Sequence, residues 1–355
     1  MALVITDETP PAGYERLVHV EDVESGLDAF ICIHSTACGP AAGGCRMWNY
    51  ASLDDARRDV LRLAEGMTCK NAIADLGLGG GKSVIIGNSR TDKSEALFRA
   101  FGRAVDSLGG LYYTAEDVGI TPDDMAIVAS ETPYAVGLNS GAHASGDPSP
   151  FTAEGVFQCL RVGAEQVFGS ADLTGKRVLV QGLGHVGMAL AEKLHAAGAV
   201  LIVSDLNQNA VKRAQTDLGA EICSPEEVFS QQMDIFAPCA LGGILTAETV
   251  ARLTAKVVCG AANNQLAAPD IAGHLRARGI SYLPDYVVNG GGIISVAGEI
   301  HRRGENYRRE RLAGIAERIR RILALSQSSG KTTTEVASDM VADILAQASS
   351  RRVLA

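Results

Sequence analysis

Three ionisable side chains in the first half of this 355-residue chain stand where they can do chemistry. Lys82 follows three glycines, Gly79 to Gly81, and Lys70 lies near the end of the helical pattern before them. Glycines let a backbone fold tightly around a small ligand, and a lysine carried on such a segment can be held in a closed pocket. If the two ammonium groups converge, repulsion and desolvation disfavour the charged form. One lysine then becomes a base while the other binds a carboxylate. Asp117 follows a short strand pattern and can carry protons. Plainer readings stand beside these: two solvated surface lysines, and an aspartate that caps a turn. Residue type and spacing leave both open. A phosphate-loop reading of Gly79 to Ser83 fails. That loop needs glycine where Leu76 stands, and its lysine opens a helix, whereas Ser83 to Ile86 is strand-like.

The second half carries a G-x-G-x-x-G pattern at Gly182, Gly184 and Gly187, with Leu183, His185 and Val186 between. An apolar strand pattern precedes it, a helical one follows, and the next strand leads to Asp205, 18 residues after Gly187. In this context Gly182 makes a tight turn, Gly184 lets the backbone approach a pyrophosphate, and Gly187 lets helix and strand pack closely. The phosphates rest on the free N–H groups of the helix N-terminus. Asp205 accepts hydrogen bonds from a ribose diol and repels a 2′-phosphate, which favours NAD over NADP. A turn that merely needs glycines is the alternative. His185 reads as an exposed loop position.

These residues need elements to hold them. Phe30–His34, Ser83–Ile86 and Leu111–Thr114 read as strands. Helices are expected over Ser52 to Ala74, with Ser52 capping, over Asp92 to Leu108 and over Thr121 to Thr132. The stretch Asn139 to Pro150, rich in Gly, Ser145 and Pro, reads as a hinge. After it, strand and helix patterns alternate: Thr152–Phe168, Arg177–Val180, Gly187–Ala197, Val200–Val203, Asp234–Ala237, Lys256–Cys259 and Ile280–Leu283. That is the signature of a doubly wound parallel sheet. Helices at Glu305–Ser326 and Thr333–Ser349 follow. The expected fold is therefore α/β in two domains. An N-terminal domain spans 1–147, a Rossmann-type dinucleotide-binding domain spans 148–330, and the active-site cleft lies between them. The C-terminal helix, 331–355, is expected to pack back on the first domain.

Composition narrows the function classes. A net charge of −9 argues against a nucleic-acid or anionic-membrane surface as the main partner. No apolar run is long enough to span a membrane, and the polar, acidic N-terminus has no signal-peptide pattern, so a cytoplasmic location is expected. The 8 cysteines include no C-x-x-C pair and read as reduced, buried thiols; no metal site is expected.

Seven segments together resemble one family. They are Gly39-Pro-Ala-Ala-Gly-Gly-Cys-Arg46, Gly66-Met-Thr-Cys-Lys70, Gly79 to Lys82, Thr114-Ala-Glu-Asp117-Val-Gly, Ala237-Pro-Cys-Ala-Leu-Gly-Gly243, Gly260-Ala-Ala-Asn-Asn-Gln265 and Pro284-Asp-Tyr-Val-Val-Asn289-Gly-Gly-Gly. The chain resembles the leucine, valine and phenylalanine dehydrogenase branch of the glutamate dehydrogenase superfamily. The resemblance implies oxidative deamination, in which L-amino acid, NAD and water give 2-oxo acid, ammonia and NADH. It implies that Lys70 holds the substrate carboxylate beside Gly43 and Gly44, Lys82 activates water, and Asp117 shuttles protons. Asn263 and Asn289 would orient substrate and nicotinamide. Thr152, Cys239 and Ala240 would join the glycine-rich loop in holding the cofactor. It also implies a homo-oligomer assembled through the N-terminal domain. Two positions depart from the family pattern: Cys69, where Tyr is frequent, and Gly290, where Ala is more usual.

By the same resemblance Ala42, Ala115, Ile293 and Val296 line the side-chain pocket. All are apolar, which disfavours glutamate. Ala115 matches the leucine and valine enzymes, where phenylalanine and tryptophan enzymes tend to have Gly. Ala42 points the other way, since leucine enzymes frequently place Leu there. A branched aliphatic substrate is expected, with phenylalanine or tryptophan oxidation as the alternative. A nucleotide-binding regulator without turnover is disfavoured because Lys70, Lys82 and Asp117 are all present. A 2-hydroxy-acid dehydrogenase would need a histidine–carboxylate pair near the cofactor.

Overall fold

A computed structural model describes residues 3–141, 144 and 146–353. The chain forms two compact units. One comprises Met1–Pro148, Ile293–Arg308 and Val341–Ala355; the other comprises Ser149–Gly292 and Arg309–Met340.

The first unit is built on β1 (Val4–Glu8), β2 (Arg16–Asp22), β3 (Leu27–Ser35), β4 (Ala41–Trp48), α1 (Leu53–Ile73), β5 (Gly79–Ile86), α2 (Glu95–Asp106), β6 (Tyr112–Glu116) and α3 (Pro122–Ala129). Its sheet runs β1-β2-β3-β5-β4-β6. The pairs from β1 through β5 are antiparallel, and β4 is parallel to both β5 and β6. Alternation along β3 sends Ala29, Ile31 and Ile33 into one core with Leu97, Phe98 and Phe101 of α2. It sends Phe30 and Cys32 into another with Ala56, Val60 and Ala64 of α1. One sheet face thus carries α1 and the other α2. Ser52 caps α1 by accepting from the Asp55 N–H at 3.1 Å. The helix expected from Asp92 begins later, because Ser94 takes the cap and accepts from Leu97 N–H. Asp92 turns back instead to accept from Asn88 N–H.

The second unit contains α4 (Ser149–Phe168), β7 (Arg177–Gln181), α5 (His185–Ala196), β8 (Val200–Ser204), α6 (Gln208–Leu218), β9 (Glu221–Ile222), β10 (Ile235–Pro238), α7 (Ala247–Arg252), β11 (Val257–Val258), α8 (Ile271–Ala277), β12 (Ser281–Tyr282) and α9 (Asp285–Val288). Its sheet order is β12-β11-β10-β7-β8-β9, and the pairs are all parallel. Counted from β7, that is the strand order 3-2-1-4-5-6 of the doubly wound dinucleotide fold. Its direction of winding reverses between β7 and β10, where such folds take their ligand.

The chain ends in α10 (Gly291–Ile300), α11 (Glu305–Ser329) and α12 (Thr333–Val353). Residues 293–308 group with the first unit, whereas the sequence reading assigned all of 148–330 to the second. Packing is the reason: Ile293, Val296 and Ile300 join an apolar cluster with Tyr113, Ala115 and Val136. Of the segment 331–355, the part from Val341 on groups with the first unit and the part before it with the second. The proposed hinge is shorter than expected, since Ser149 and Pro150 already belong to α4, where the first turn tolerates proline. Its Ser145 lies outside the described residues. Among the described residues no helix is long and apolar enough to cross a membrane. All eight thiols are free, with Cys32, Cys45, Cys159, Cys223 and Cys259 buried and Cys38, Cys69 and Cys239 partly covered.

Candidate active site

The three glycines before Lys82 are not a loop. They are the first residues of β5, with Lys82 on the same strand. Their missing side chains leave room for neighbours. A Cβ on Gly80 would lie 2.1 Å from Thr68 N, so α1 could not press on the strand as it does. This close approach brings the last turn of α1, with Lys70, down onto β5. Asn71 helps to hold it there, donating from its buried amide to the Ala42 carbonyl at 3.0 Å and also to the Gly79 carbonyl.

Lys82 is 5 % exposed. Its Nζ pairs with Oδ2 of Asp117, just beyond β6. The strand β4 lies between β5 and β6, so the pair reaches across it. The crossing point is Gly44. The β4–β5 register sets Gly44 beside Lys82, and Gly44 is also the partner of Ala115 on β6. A Cβ on Gly44 would stand 2.8 Å from Asp117 Cβ. Gly43 is closed to side chains by Gly81 O, 1.9 Å from its ideal Cβ. The sequence reading gave both glycines to substrate binding; the contacts here show what their lack of side chains permits within the sheet. That reading also considered Lys70 as the charge facing Lys82. The structure also brings the Asp117 carboxylate into contact with Lys82.

Burial pushes the Asp117 carboxyl up, but the charges of Lys82 and then Arg46 outweigh it, and the group is held below the ordinary carboxylate value. Asp117 is therefore ionised at neutral pH.

Near this pair, Ala115 and Val296 are buried and Ile293 partly so, packed in one apolar cluster with Val136. Ala42 is buried on β4. The Glu299 carboxylate ties α10 to the segment after β6 by accepting from Gly137 N–H at 3.0 Å. His301 reaches the Leu76 carbonyl at 2.7 Å.

In the second unit, the motif glycines do three different things. Gly182 turns the chain at φ +96° as β7 ends. Gly187 packs so tightly that a Cβ would lie 1.9 Å from Gly182 O and 3.3 Å from Cys239 Cβ. Gly184 has nothing within 4 Å of its ideal Cβ and N-caps α5 without a side-chain hydrogen bond. The first N–H groups of α5, from His185, Val186 and Gly187, thus have no side chain of Gly184 in front of them, the arrangement that a helix N-terminus needs to receive an anion. These features fit a dinucleotide. His185 and Ala240 are exposed, Val186 partly so, and Leu183 is buried. Asp205 follows β8, and its carboxylate accepts from Leu183 N–H and, at 2.7 Å, from Asn207 N–H. Asn289 donates to Asn263 Oδ1 at 2.8 Å and to the Ala261 carbonyl at 3.2 Å. Gly291 meets the start of α4, where its Cβ would stand 2.6 Å from Thr152 N. The structure thereby gathers Thr152, Asn263 and Asn289 in one part of this unit.

Residues 15–134 match the family model of the Glu/Leu/Phe/Val dehydrogenase dimerisation domain, and residues 200–326 match that of glutamate/leucine/phenylalanine/valine dehydrogenase. Leucine dehydrogenase of Thermoactinomyces intermedius is 49% identical over 317 residues, covering 89% of this chain and 87% of its own. Phenylalanine dehydrogenase of Lysinibacillus sphaericus is 47% identical over 295 residues, covering 82% and 77%. The crystal structure of L-tryptophan dehydrogenase from Nostoc punctiforme superposes with a TM-score of 0.83 at 38% identity, covering 95% of this chain and 97% of that one. The chain belongs to the Glu/Leu/Phe/Val dehydrogenase family. It is an amino-acid dehydrogenase.

Several residues that organise this dehydrogenase escaped the sequence reading. Arg46 stands 3.5 Å from Asp117 through Nε and 3.0 Å from Asp59 through Nη1. Asp59 also accepts from Tyr50 and Arg62, each at 2.7 Å. Tyr112, fully buried, donates to the Gly43 carbonyl at 2.9 Å under the same strands. In the cofactor unit Gln265 pins the segment that carries Asn263, donating to the Gly260 and Ala262 carbonyls at 2.9 Å each. The available signal was polar residues inside apolar runs, as at Asn71 and Tyr112. Nothing local marks Arg46, whose partners are on α1 and beyond β6.

Proposed function

We propose that this dehydrogenase oxidises a branched aliphatic L-amino acid with NAD, giving the 2-oxo acid, ammonia and NADH, and runs reversibly as reductive amination. The observation that carries the substrate class is the apolar cluster of Ala115, Val136, Ile293 and Val296 in the unit that also holds Lys82 and Asp117. A branched aliphatic side chain gains from burial there, whereas a carboxylate would be desolvated without a partner. The leucine dehydrogenase relatives support the same reading. Aromatic oxidation is the second reading, favoured by the small Ala42 and by the likeness to the tryptophan enzyme.

Lys70 binds the substrate carboxylate, with the Gly43 and Gly44 backbone beside it. Lys82 Nζ takes a proton from the attacking water. Its contact with Asp117 gives that proton a path, since Asp117 Oδ2 can receive it and pass it to the departing nitrogen. Asn263 and Asn289, hydrogen-bonded to each other, orient substrate and nicotinamide. When bound, NAD supplies the hydride acceptor. Thr152, Cys239, Ala240 and the loop from Gly182 to Gly187 hold it. Asp205 receives the ribose hydroxyls, since each carboxylate oxygen has acceptor capacity beyond the N–H bond it already takes. The match to a dimerisation domain supports a homo-oligomer.

NADH formation over a panel of L-amino acids tests this reading. Leu, Val or Ile should give a higher kcat/KM than Phe or Trp, and NAD should outperform NADP. Asp205→Ala should narrow that cofactor gap. A preference for Phe or Trp would replace the aliphatic reading with the aromatic one, and a preference for NADP would remove the role of Asp205.

A further inference from the structure

Arg46 sits on β4 two residues beyond Gly44 and so on the same sheet face. Its side chain is 22% exposed, and its guanidinium lies between two carboxylates, with Asp117 at 3.5 Å and Asp59 at 3.0 Å. Asp59 is itself fixed by Tyr50 and Arg62. Lys82, Asp117, Arg46 and Asp59 therefore form an alternating ladder of charge from β5 across β4 to α1. Cys45, Tyr50 and Tyr112 also lie close enough to feel the Asp117 charge. Burial pushes Cys45 up to about 12 and both tyrosines well above their ordinary value, so all three are neutral at working pH. Arg46 thus bears on the Lys82–Asp117 pair directly, and Asp59 bears on it through Arg46.

We propose that Arg46 is a positioning residue that sets the pH range over which the Lys82–Asp117 pair releases its proton, with Asp59 as its counterweight. The inference rests on the reading of that pair as the proton shuttle. If Lys82 gives up its proton, Asp117 loses its cationic neighbour. Guanidinium does not deprotonate in proteins, so Arg46 keeps a positive charge beside the pair throughout the cycle. Its Nε stands 3.5 Å from Asp117 Oδ2, the same oxygen that meets Lys82.

The test is the pH profile of kcat/KM for oxidation, each enzyme normalised to its own plateau. Removing a positive charge favours the protonated pair, so in Arg46→Gln the acid limb should move to higher pH. At a pH on the wild-type limb, normalised activity should fall by roughly tenfold. Arg46→Lys should restore most of the limb. Asp59→Asn removes a negative charge and should move the limb the opposite way. Because a merely structural role would lower the whole profile without displacing it, a normalised limb unchanged in Arg46→Gln overturns the proposal. So does an Asp59→Asn limb that stays or moves up, a result that is available even if Arg46→Gln does not fold. Asp117→Asn is the control for the underlying reading. Full activity with the wild-type profile in that variant would show that the shuttle assignment, and the role of Arg46 with it, is wrong. Loss of activity there with an unmoved Arg46→Gln limb would overturn the Arg46 role alone.

Discussion

The two units of this dehydrogenase make their sites by opposite means. The first assembles charge. Lys82, Asp117, Arg46 and Asp59 come from different elements and meet only because three strands and α1 hold their register. Its glycines serve that meeting by leaving space under the side chains that cross the sheet. The second unit assembles backbone. Gly182 makes the turn, Gly184 leaves an opening at the start of α5, Gly187 lets the helix pack close, and Asp205 is the carboxylate proposed for the ribose. The lesson concerns where each site is vulnerable. The first depends on side-chain identity at a few positions. The second depends on what is absent, so added atoms should harm it more than lost ones.

The largest effect should come from removing Lys82. Lys82→Ala should lower kcat by roughly 10²–10⁴-fold, with Lys70→Ala acting instead mainly through a raised KM. Steady-state kinetics over substrate concentration separates the two. Near-normal kcat in Lys82→Ala would leave Asp117 as the first candidate for the base and would remove half of the contrast between the units.

The steric side of the comparison is sharpened by two alanines in one motif. Gly187→Ala places a methyl against the Gly182 carbonyl, 1.9 Å away in the present geometry, and should cost about 3 kcal/mol. Thermal unfolding should show a clear fall in Tm. Gly184→Ala meets nothing within 4 Å, so Tm should hardly change while cofactor Kd, followed by NADH fluorescence, rises. Equal losses of Tm in the two variants would mean that Gly184 is structural and not an approach point for the pyrophosphate.

The smallest effect concerns selectivity. Ala115→Gly deletes one methyl from the apolar cluster and should shift the ratio of kcat/KM values toward Phe over Leu by about tenfold. An unchanged ratio would take Ala115 out of the pocket wall.

The cofactor unit was the more legible of the two in sequence. Its first elements are local, β7 leading through one turn into α5 and β8 through another into α6. The G-x-G-x-x-G motif is contiguous for the same reason: one turn must do everything. The first unit was legible in its reactive residues and in the capped start of α1, but not in its sheet. β1, β2 and β4 were missed. β4 hides because Gly43 and Gly44 weaken both its hydrophobic alternation and its strand propensity. The segment Gly79 to Gly81 was read as a tight fold around a ligand, although it is the start of β5, where α1 presses on glycine.

Sequence alone thus determined the chemistry available: two lysines, one aspartate, a glycine-rich turn and an apolar set, each fixed by residue type. Tertiary structure decided which of them meet. Lys82 pairs with Asp117 because β4 lies between their strands and has no side chain at Gly44. Arg46 joins them because alternation puts it on the same face. Ile293 and Val296 join Ala115 because α10 packs back on the first unit from far along the chain. Contacts of that kind depend on strand order and register, which are collective properties of the sheet, and no local stretch of residues encodes them.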